Sequence, residues 1–219
     1  MNSGRKSLFA CRPAGDHGRM TTTAWDERYE VSSLLCSGKP NVWVQHYCEA
    51  LPAGRLLDLA GGEGRNALWL AQRGWDVTVV DRSPCALDRA RHCAGKLALA
   101  DRVHCIRADV RRHLPTGRGY DLVLIAYLQL PEAERDTVLN LAVSAVAPGG
   151  RLLWISHDES NVADGSGGMD EGLLCGPDAI AERVRTLGLA IVEAQTRVRA
   201  VEVEHGVRTA LDTVVLATR

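Results

Sequence analysis

The sequence contains no run approaching the ~18 consecutive apolar residues of a membrane-spanning helix, so no membrane association is expected. It has no excess of one charge. Lys and Arg number 26 against 27 Asp and Glu, which gives no general pull toward nucleic acid or anionic lipid. The seven cysteines are odd in number and scattered, and none forms a C-x-x-C pair. They read as free thiols in a reducing, cytoplasmic compartment. The seven histidines lack metal-ligand spacing such as H-E-x-x-H, so no metal site is expected. Repeats and low-complexity tracts are absent as well.

What is present is an ordinary globular composition, 46% apolar and 24% charged over 219 residues. That length suits one large domain with a tail. Residues 1–20 form the tail: Arg5, Lys6, Arg12 and Arg19 oppose only Asp16, and no apolar run is long enough for a signal peptide. This segment is expected to be disordered. Met20-Thr-Thr-Thr-Ala-Trp25 has the look of a protein start, which sets Met20 against Met1 as the native first residue.

From residue 21 onward the pattern predicts a single domain. A short helix after Ala24 is followed by a second opening at Pro40, with Val42, Trp43, Tyr47 and Leu51 on one stripe. Apolar strands are predicted at Arg55–Leu59, Asp76–Val80, Val103–Arg107, Tyr120–Ala126 and Leu152–Ser156. Helices alternate with them: about Glu63–Arg73 ending at Gly74, Ser83-Pro84 to Leu99, Pro131–Ala147, and Pro177–Leu187. His157–Gly176 is a long Gly- and acid-rich loop of the kind that is functional or disordered. Two strands, about Leu189–Val203 and Val207–Ala217, turn at His205-Gly206 as an antiparallel hairpin. The alternation implies an α/β fold, a Rossmann-like doubly wound and mostly parallel sheet closed by a C-terminal antiparallel hairpin.

The chain centres on Leu56–Asp81. A strand ending in Asp58 enters the turn Ala60-Gly61-Gly62-Glu63-Gly64, then a helix, then a strand ending in Asp81. Glycines let backbone approach a ligand, the helix start offers unpaired N–H groups, and Asp81 can accept from ribose hydroxyls. Gly62-x-Gly64-x-x-Ala67 also satisfies a dinucleotide fingerprint. Against a pyrophosphate stands Asp58, a second carboxylate, which suits a cationic amino-acid group better. Ala60, which carries a Cβ, is expected to keep a negative φ in this turn.

DLAGGEGRNALWLAQRGWDVTVVDRSP resembles the cofactor signature of class I S-adenosylmethionine-dependent methyltransferases. G-R-N-A-L-x-L-A and the upstream Trp25-Asp26-x-Arg28-Tyr29 are most similar to the tellurite-resistance and thiopurine methyltransferase-like branch. The resemblance implies S-adenosyl-L-methionine as cofactor and a class I fold, with a lid at 24–52, a cofactor half at 55–114 and an acceptor half at 119–219. It also implies residue roles. The Ala60, Gly61, Gly62 and Gly64 backbone passes the methionine part, with Asp58 near its amino group and Asn66 on the next helical turn. Asp81 takes the ribose hydroxyls, while Arg82 and Ser83 border the adenine. Asp109 accepts from the adenine amino group and Val110 packs on the ring. Ala126 and Tyr127 form the floor under the methyl group. Trp25, Arg28 and Tyr29 fold over the site, with Arg28 reaching the cofactor carboxylate. Tyr127 and His157 are the candidate catalytic side chains, His157 as a base.

Methyl transfer from a sulfonium asks mainly for alignment, and a base is needed only when the acceptor must lose a proton. After the fourth strand the chain reads Ala126-Tyr127-Leu128-Gln129, not the N/D-P-P-aromatic motif of amino-methylating nucleic-acid enzymes. A prolyl-cysteine nucleophile and a clustered basic face are also missing. The expectation is therefore a small-molecule acceptor with a sulfur, selenium, tellurium, oxygen or nitrogen nucleophile, no nucleic-acid partner, and an oligomeric state left open. The alternatives are an NAD(P)-dependent oxidoreductase and a non-catalytic S-adenosylmethionine-binding protein.

Overall fold

The computed structural model of the chain describes residues 39–112, 117, 119–162, 171–203 and 206–219. The tail, the helix expected after Ala24, and the Trp25, Arg28 and Tyr29 positions lie outside the described residues. So do His205 and part of the 158–176 loop.

The described chain opens with helix α1 (Val42–Cys48). Asn41 caps it, its Oδ1 accepting from the amides of Trp43 and Val44, so the helix begins after Pro40 rather than at it. Strands and helices then alternate: β1 (Arg55–Leu59), α2 (Arg65–Ala71), β2 (Asp76–Asp81), α3 (Pro84–Lys96), β3 (Val103–Arg107), β4 (Tyr120–Ala126), α4 (Glu132–Ala145), β5 (Val146–His157), α5 (Pro177–Thr186), β6 (Ala190–Val203) and β7 (Gly206–Thr218). Ser83 opens α3 as expected, its hydroxyl accepting from the Ala86 amide at 3.1 Å with Pro84 in the first turn.

The strands form one seven-stranded sheet in the order β3-β2-β1-β4-β5-β7-β6. The first five run parallel, and β7 enters antiparallel between β5 and β6. The sheet's central strands are buried on both faces, which explains their near-continuous Leu, Val and Ile. Helices α1, α2 and α3 cover one face with Val44, Leu68, Leu70 and Leu87. Helices α4 and α5 cover the other with Val138, Leu139, Ile180 and Val184.

The largest departure from the expected boundaries is at β5. β5 starts at Val146, six residues before Leu152, because Val146 pairs with Tyr120 and the chain then bulges before the register resumes at Arg151. Gly149, at φ +76, lets the bulge turn so that its amide reaches the carbonyl of Arg219 at 3.0 Å.

The order reverses between β1 and β4, whose chains leave the sheet to opposite sides. A crevice at the carboxyl ends of those two strands is where an open α/β sheet binds ligands. The glycine turn, Asp81, Tyr127 and His157 all follow strand ends on that edge.

Candidate functional site

The turn after β1 is built around its backbone. Ala60, Gly62 and Gly64 have φ of +56, +58 and +74. Ala60 therefore takes the left-handed conformation, contrary to the negative φ expected of a residue with a Cβ. The turn overrides its preference: the Gly61 amide donates to the carbonyl of Val80 at 3.3 Å, and the Gly64 amide to that of Gly61 at 2.9 Å. Gly61 is required for a different reason. A Cβ there would lie 2.8 Å from Cγ of Asp58 and 2.9 Å from Cγ1 of Val79.

Asp58 lies beneath that turn, 1% exposed, and its Oδ2 has no hydrogen-bond partner among the described residues. Burial, with the nearby charge of Asp81, pushes its carboxyl up to about 7, while Arg65 opposes the shift. Asp81, at the end of β2, accepts from the Gly62 amide through Oδ2 at 2.9 Å and from the Ser83 amide through Oδ1 at 2.8 Å. Burial raises its carboxyl above the ordinary value, and the Ser83, Gly62 and Arg82 groups hold it back. Two buried acids flank one glycine turn. That surface disfavours a pyrophosphate and fits a ligand with a cationic group and ribose hydroxyls.

The neighbouring positions are arranged as follows. Ser83 is fully buried and its hydroxyl is used as a helix cap, while Arg82 is half-buried. Asp109 is gripped by Arg111, with Nη2 to Oδ2 at 2.6 Å and Nε to Oδ1 at 2.8 Å, which holds its carboxyl below the usual range. Arg111 also reaches Glu134 at 3.1 Å. Val110 is buried in the apolar cluster with Leu59 and Val80. Asn66 is buried at the start of α2, where its Oδ1 accepts from the amide of Asn41 at 2.9 Å.

A second cluster forms across the crevice. Tyr127 follows Ala126 at the end of β4 with φ +60, its amide donating to the carbonyl of Ile155 at 2.8 Å. Its hydroxyl donates to Oδ2 of Asp212 at 3.0 Å and accepts from Nδ2 of Asn41 at 2.9 Å. Burial, then the charge of Asp212, pushes the phenol up to about 12. The His157 ring lies 4.7 Å from that of Tyr127, and its Nδ1 is 3.5 Å from Oδ1 of Asp212. Trp43 Nε1 donates to Oδ2 of Asp212 at 2.9 Å, and Arg199 Nε at 2.7 Å. Asp212 is fully buried. Burial alone would raise its carboxyl, but hydrogen bonds from His157, Arg199 and Trp43 hold it well below the usual range.

The structure thus brings Asp58, Ala60–Gly64, Asn66 and Asp81 together, and Tyr127 with His157. Reasoning from sequence missed Asn41, Trp43, Arg199 and Asp212. Asn41 carried a signal, an Asx residue just before an apolar stripe. Asp212 carried another, a lone acid inside the strand run Leu211-Asp212-Thr213-Val214-Val215.

Residues 56–150 match the methyltransferase domain family. Over those residues the chain matches a methyltransferase domain, on a fold shared with class I S-adenosylmethionine-dependent methyltransferases. The tRNA 5-carboxymethoxyuridine methyltransferase of Escherichia coli (strain K12) is 37% identical over 101 residues, 45% of this chain and 38% of that protein. This chain thus matches less than half the length of that curated relative. Among solved structures, TehB from Haemophilus influenzae superposes with a TM-score of 0.67 at 15% identity, covering 90% of this chain and 66% of TehB. The glycopeptide N-methyltransferase MtfA, complexed with S-adenosyl-L-methionine, gives 0.63 at 16% identity, over 82% of this chain and 87% of MtfA. At such identities the likeness is one of fold, and the TehB match does not carry the tellurite-resistance and thiopurine branch.

Among the described residues, no helix is long and apolar enough to cross a membrane. Cys48, Cys105 and Cys175 are free thiols, whereas Cys93 is disulfide-bonded, against the all-thiol expectation.

Proposed function

We propose that the protein transfers the methyl group of S-adenosylmethionine to a small molecule. The observation that carries this reading is the buried, unpartnered Oδ2 of Asp58 beneath a glycine turn whose middle amide is tied to Asp81. When bound, S-adenosylmethionine supplies an activated methyl group on a sulfonium. The chain's part is to hold, orient and exclude water.

In this reading the Ala60–Gly64 backbone lies along the methionine moiety, and Asp58 provides negative charge for its ammonium. Asp81, already oriented by two amides, has remaining lone pairs for the ribose hydroxyls. Arg82, Ser83, Asp109 and Val110 border the adenine, Arg111 fixing the Asp109 carboxylate. Ala126 and Tyr127 form the floor below the methyl group, with His157 beside it. Segment 24–52 acts as lid, with Trp25, Arg28 and Tyr29 over the cofactor, 55–114 as cofactor half and 119–219 as acceptor half.

A small acceptor is favoured over a nucleic acid by the net charge of −1 and by the absence of the amino-methylating motif after β4. The tRNA relative matches 45% of the chain, so its printed substrate does not transfer with it. The free thiols favour a cytoplasmic setting, the Cys93 disulfide being the exception.

Calorimetric titration with S-adenosylhomocysteine and with NADPH tests the reading. S-adenosylhomocysteine alone should bind. Binding of NADPH alone would make the protein an oxidoreductase, and S-adenosylhomocysteine binding without turnover of any acceptor would make it a non-catalytic binder.

A further inference from the structure

We propose that Asp212 is the positioning residue for His157 as general base, and that the acceptor is therefore a proton-bearing oxygen nucleophile, a phenolic hydroxyl. The inference rests on the methyl-transfer reading above and deepens it at the same site.

Asp212 and His157 face each other directly across the β5–β7 ladder, so their side chains emerge on one face of the sheet. Asp212 is fully buried, whereas the His157 side chain is 29% exposed, at the carboxyl end of β5. Oδ2 of Asp212 accepts from Trp43, Tyr127 and Arg199, while Oδ1 faces Nδ1 of His157 at 3.5 Å and shares Arg199 Nη2 at 3.3 Å. An ionised carboxylate can only accept, so Nδ1 carries the proton and the lone pair stands on Nε2. The ring thus has a fixed tautomer and a buried counter-charge for the imidazolium that forms on proton uptake.

The other charged and titratable groups facing His157 are already committed. Arg199 is paired with Asp212, and the Tyr127 phenol is a hydrogen-bond donor held neutral by its burial. Arg197 is engaged by Glu193 and Tyr47. Among the described residues of this cluster, His157 is therefore the one whose basic atom is left for the acceptor.

The acceptor chemistry follows from what needs that atom. A thiol, a heavier chalcogen or a carboxylate can attack without an assisting base, and an oriented imidazole would add little. An ammonium would look for a free carboxylate, and Asp212 is neutralised by Arg199. A phenol keeps its proton near neutral pH, with an acidity like that of tyrosine at about 10, close enough to an imidazole for proton transfer to assist. An aliphatic alcohol is too weak an acid for the same base. In the step, the phenolic oxygen forms its bond to the methyl carbon as the methyl–sulfur bond breaks, and that bond's electron pair stays on sulfur. The phenolic proton passes to Nε2 of His157 and then to solvent.

Two experiments on the full chain test this. The first is a proton NMR spectrum without cofactor or acceptor. A downfield ring N–H resonance should appear in the wild type and vanish in His157→Gln, and its absence from the folded wild type overturns the dyad. The second is transfer of labelled methyl groups to 2-naphthol, catechol and caffeic acid, with 2-naphthalenethiol and 2-naphthylamine as matched thiol and amine. Phenols should be methylated, and the matched thiol and amine should not. His157→Gln, which is partly exposed and leaves the core intact, should lose about 100-fold in kcat with KM little changed. A folded Asp212→Asn should lose kcat likewise and shift or abolish the downfield ring resonance. Methylation of the thiol alone, full phenol turnover by His157→Gln, or no phenol turnover despite S-adenosylhomocysteine binding would each overturn the proposal. Failure to bind S-adenosylhomocysteine would instead sink the methyl-transfer reading beneath it.

Discussion

The amide of Gly62 donates to Oδ2 of Asp81 across 2.9 Å, so the middle of the glycine turn is fastened to the acid that ends β2. A ligand seated on the turn meets a carboxylate whose orientation is already set. Asp81→Ala should weaken S-adenosylhomocysteine binding by about 1–3 kcal/mol, the range for losing charge-assisted hydrogen bonds. Calorimetry on a folded variant checks this, and wild-type affinity would move the ribose elsewhere.

Asp58 predicts a pH dependence of two signs. Its folded carboxyl, near 7, lies above the ordinary unfolded value of about 3.9. The protein without ligand is therefore unpenalised below pH ~4 and loses stability as pH rises through 7. Asp58→Asn should raise the melting temperature at about pH 8 and do little at about pH 4, with a ceiling of about 4 kcal/mol. Affinity for S-adenosylhomocysteine, whose ammonium favours the ionised form, should instead fall as pH drops below 7. Titrations across that interval in wild type and Asp58→Asn separate the two effects. A flat wild-type profile would refute the role.

At Ala60 the left-handed backbone costs an L-residue about 1–2 kcal/mol. Ala60→Gly should recover a net ~0.5–1 kcal/mol after glycine's own entropic cost, read as a higher melting temperature. Next door, Gly61→Ala should destabilise by about 1–3 kcal/mol, since its Cβ would lie 2.8 Å from Cγ of Asp58. A stabilised Gly61→Ala would contradict the geometry of the turn.

Tyr127→Phe removes the hydroxyl that links Asn41 to Asp212. Chemical denaturation should show a loss of about 1–3 kcal/mol, because a buried donor on Asn41 is left unpaired. Methyl transfer should persist, since a phenol pushed up to about 12 is a poor source of a base near neutrality. Loss of turnover in a folded Tyr127→Phe would make Tyr127 the base in place of His157.

How much of this was legible beforehand differs sharply between the two sides of the crevice. Asp58, the glycine turn and Asp81 lie within one βαβ unit, so strand period, turn residues and strand-end acid could be read together along the chain. Even there the backbone surprised: Ala60 adopts positive φ because the amide bonds of its neighbours and the buried Asp58 outweigh its local preference. Asp109 shows the same limit, since its grip by Arg111 and Arg111's reach to Glu134 depend on how β3 and α4 converge.

The acceptor side was hardly legible. Tyr127 and His157 could be marked as strand-end residues, but nothing along the chain joins them to Trp43, Arg199 or Asp212. Trp43 and Asp212 are 169 positions apart, and Tyr127 and Asp212 are 85 apart. They meet because β7 enters between β5 and β6, which sets Asp212 opposite His157 and next to Arg199. The sequence by itself determined the glycine turn and the two strand-end acids, where chemistry and short-range periodicity coincide. Only the tertiary structure decided which buried acid holds the histidine, because strand order and register are set by burial of the whole sheet rather than by any local pattern.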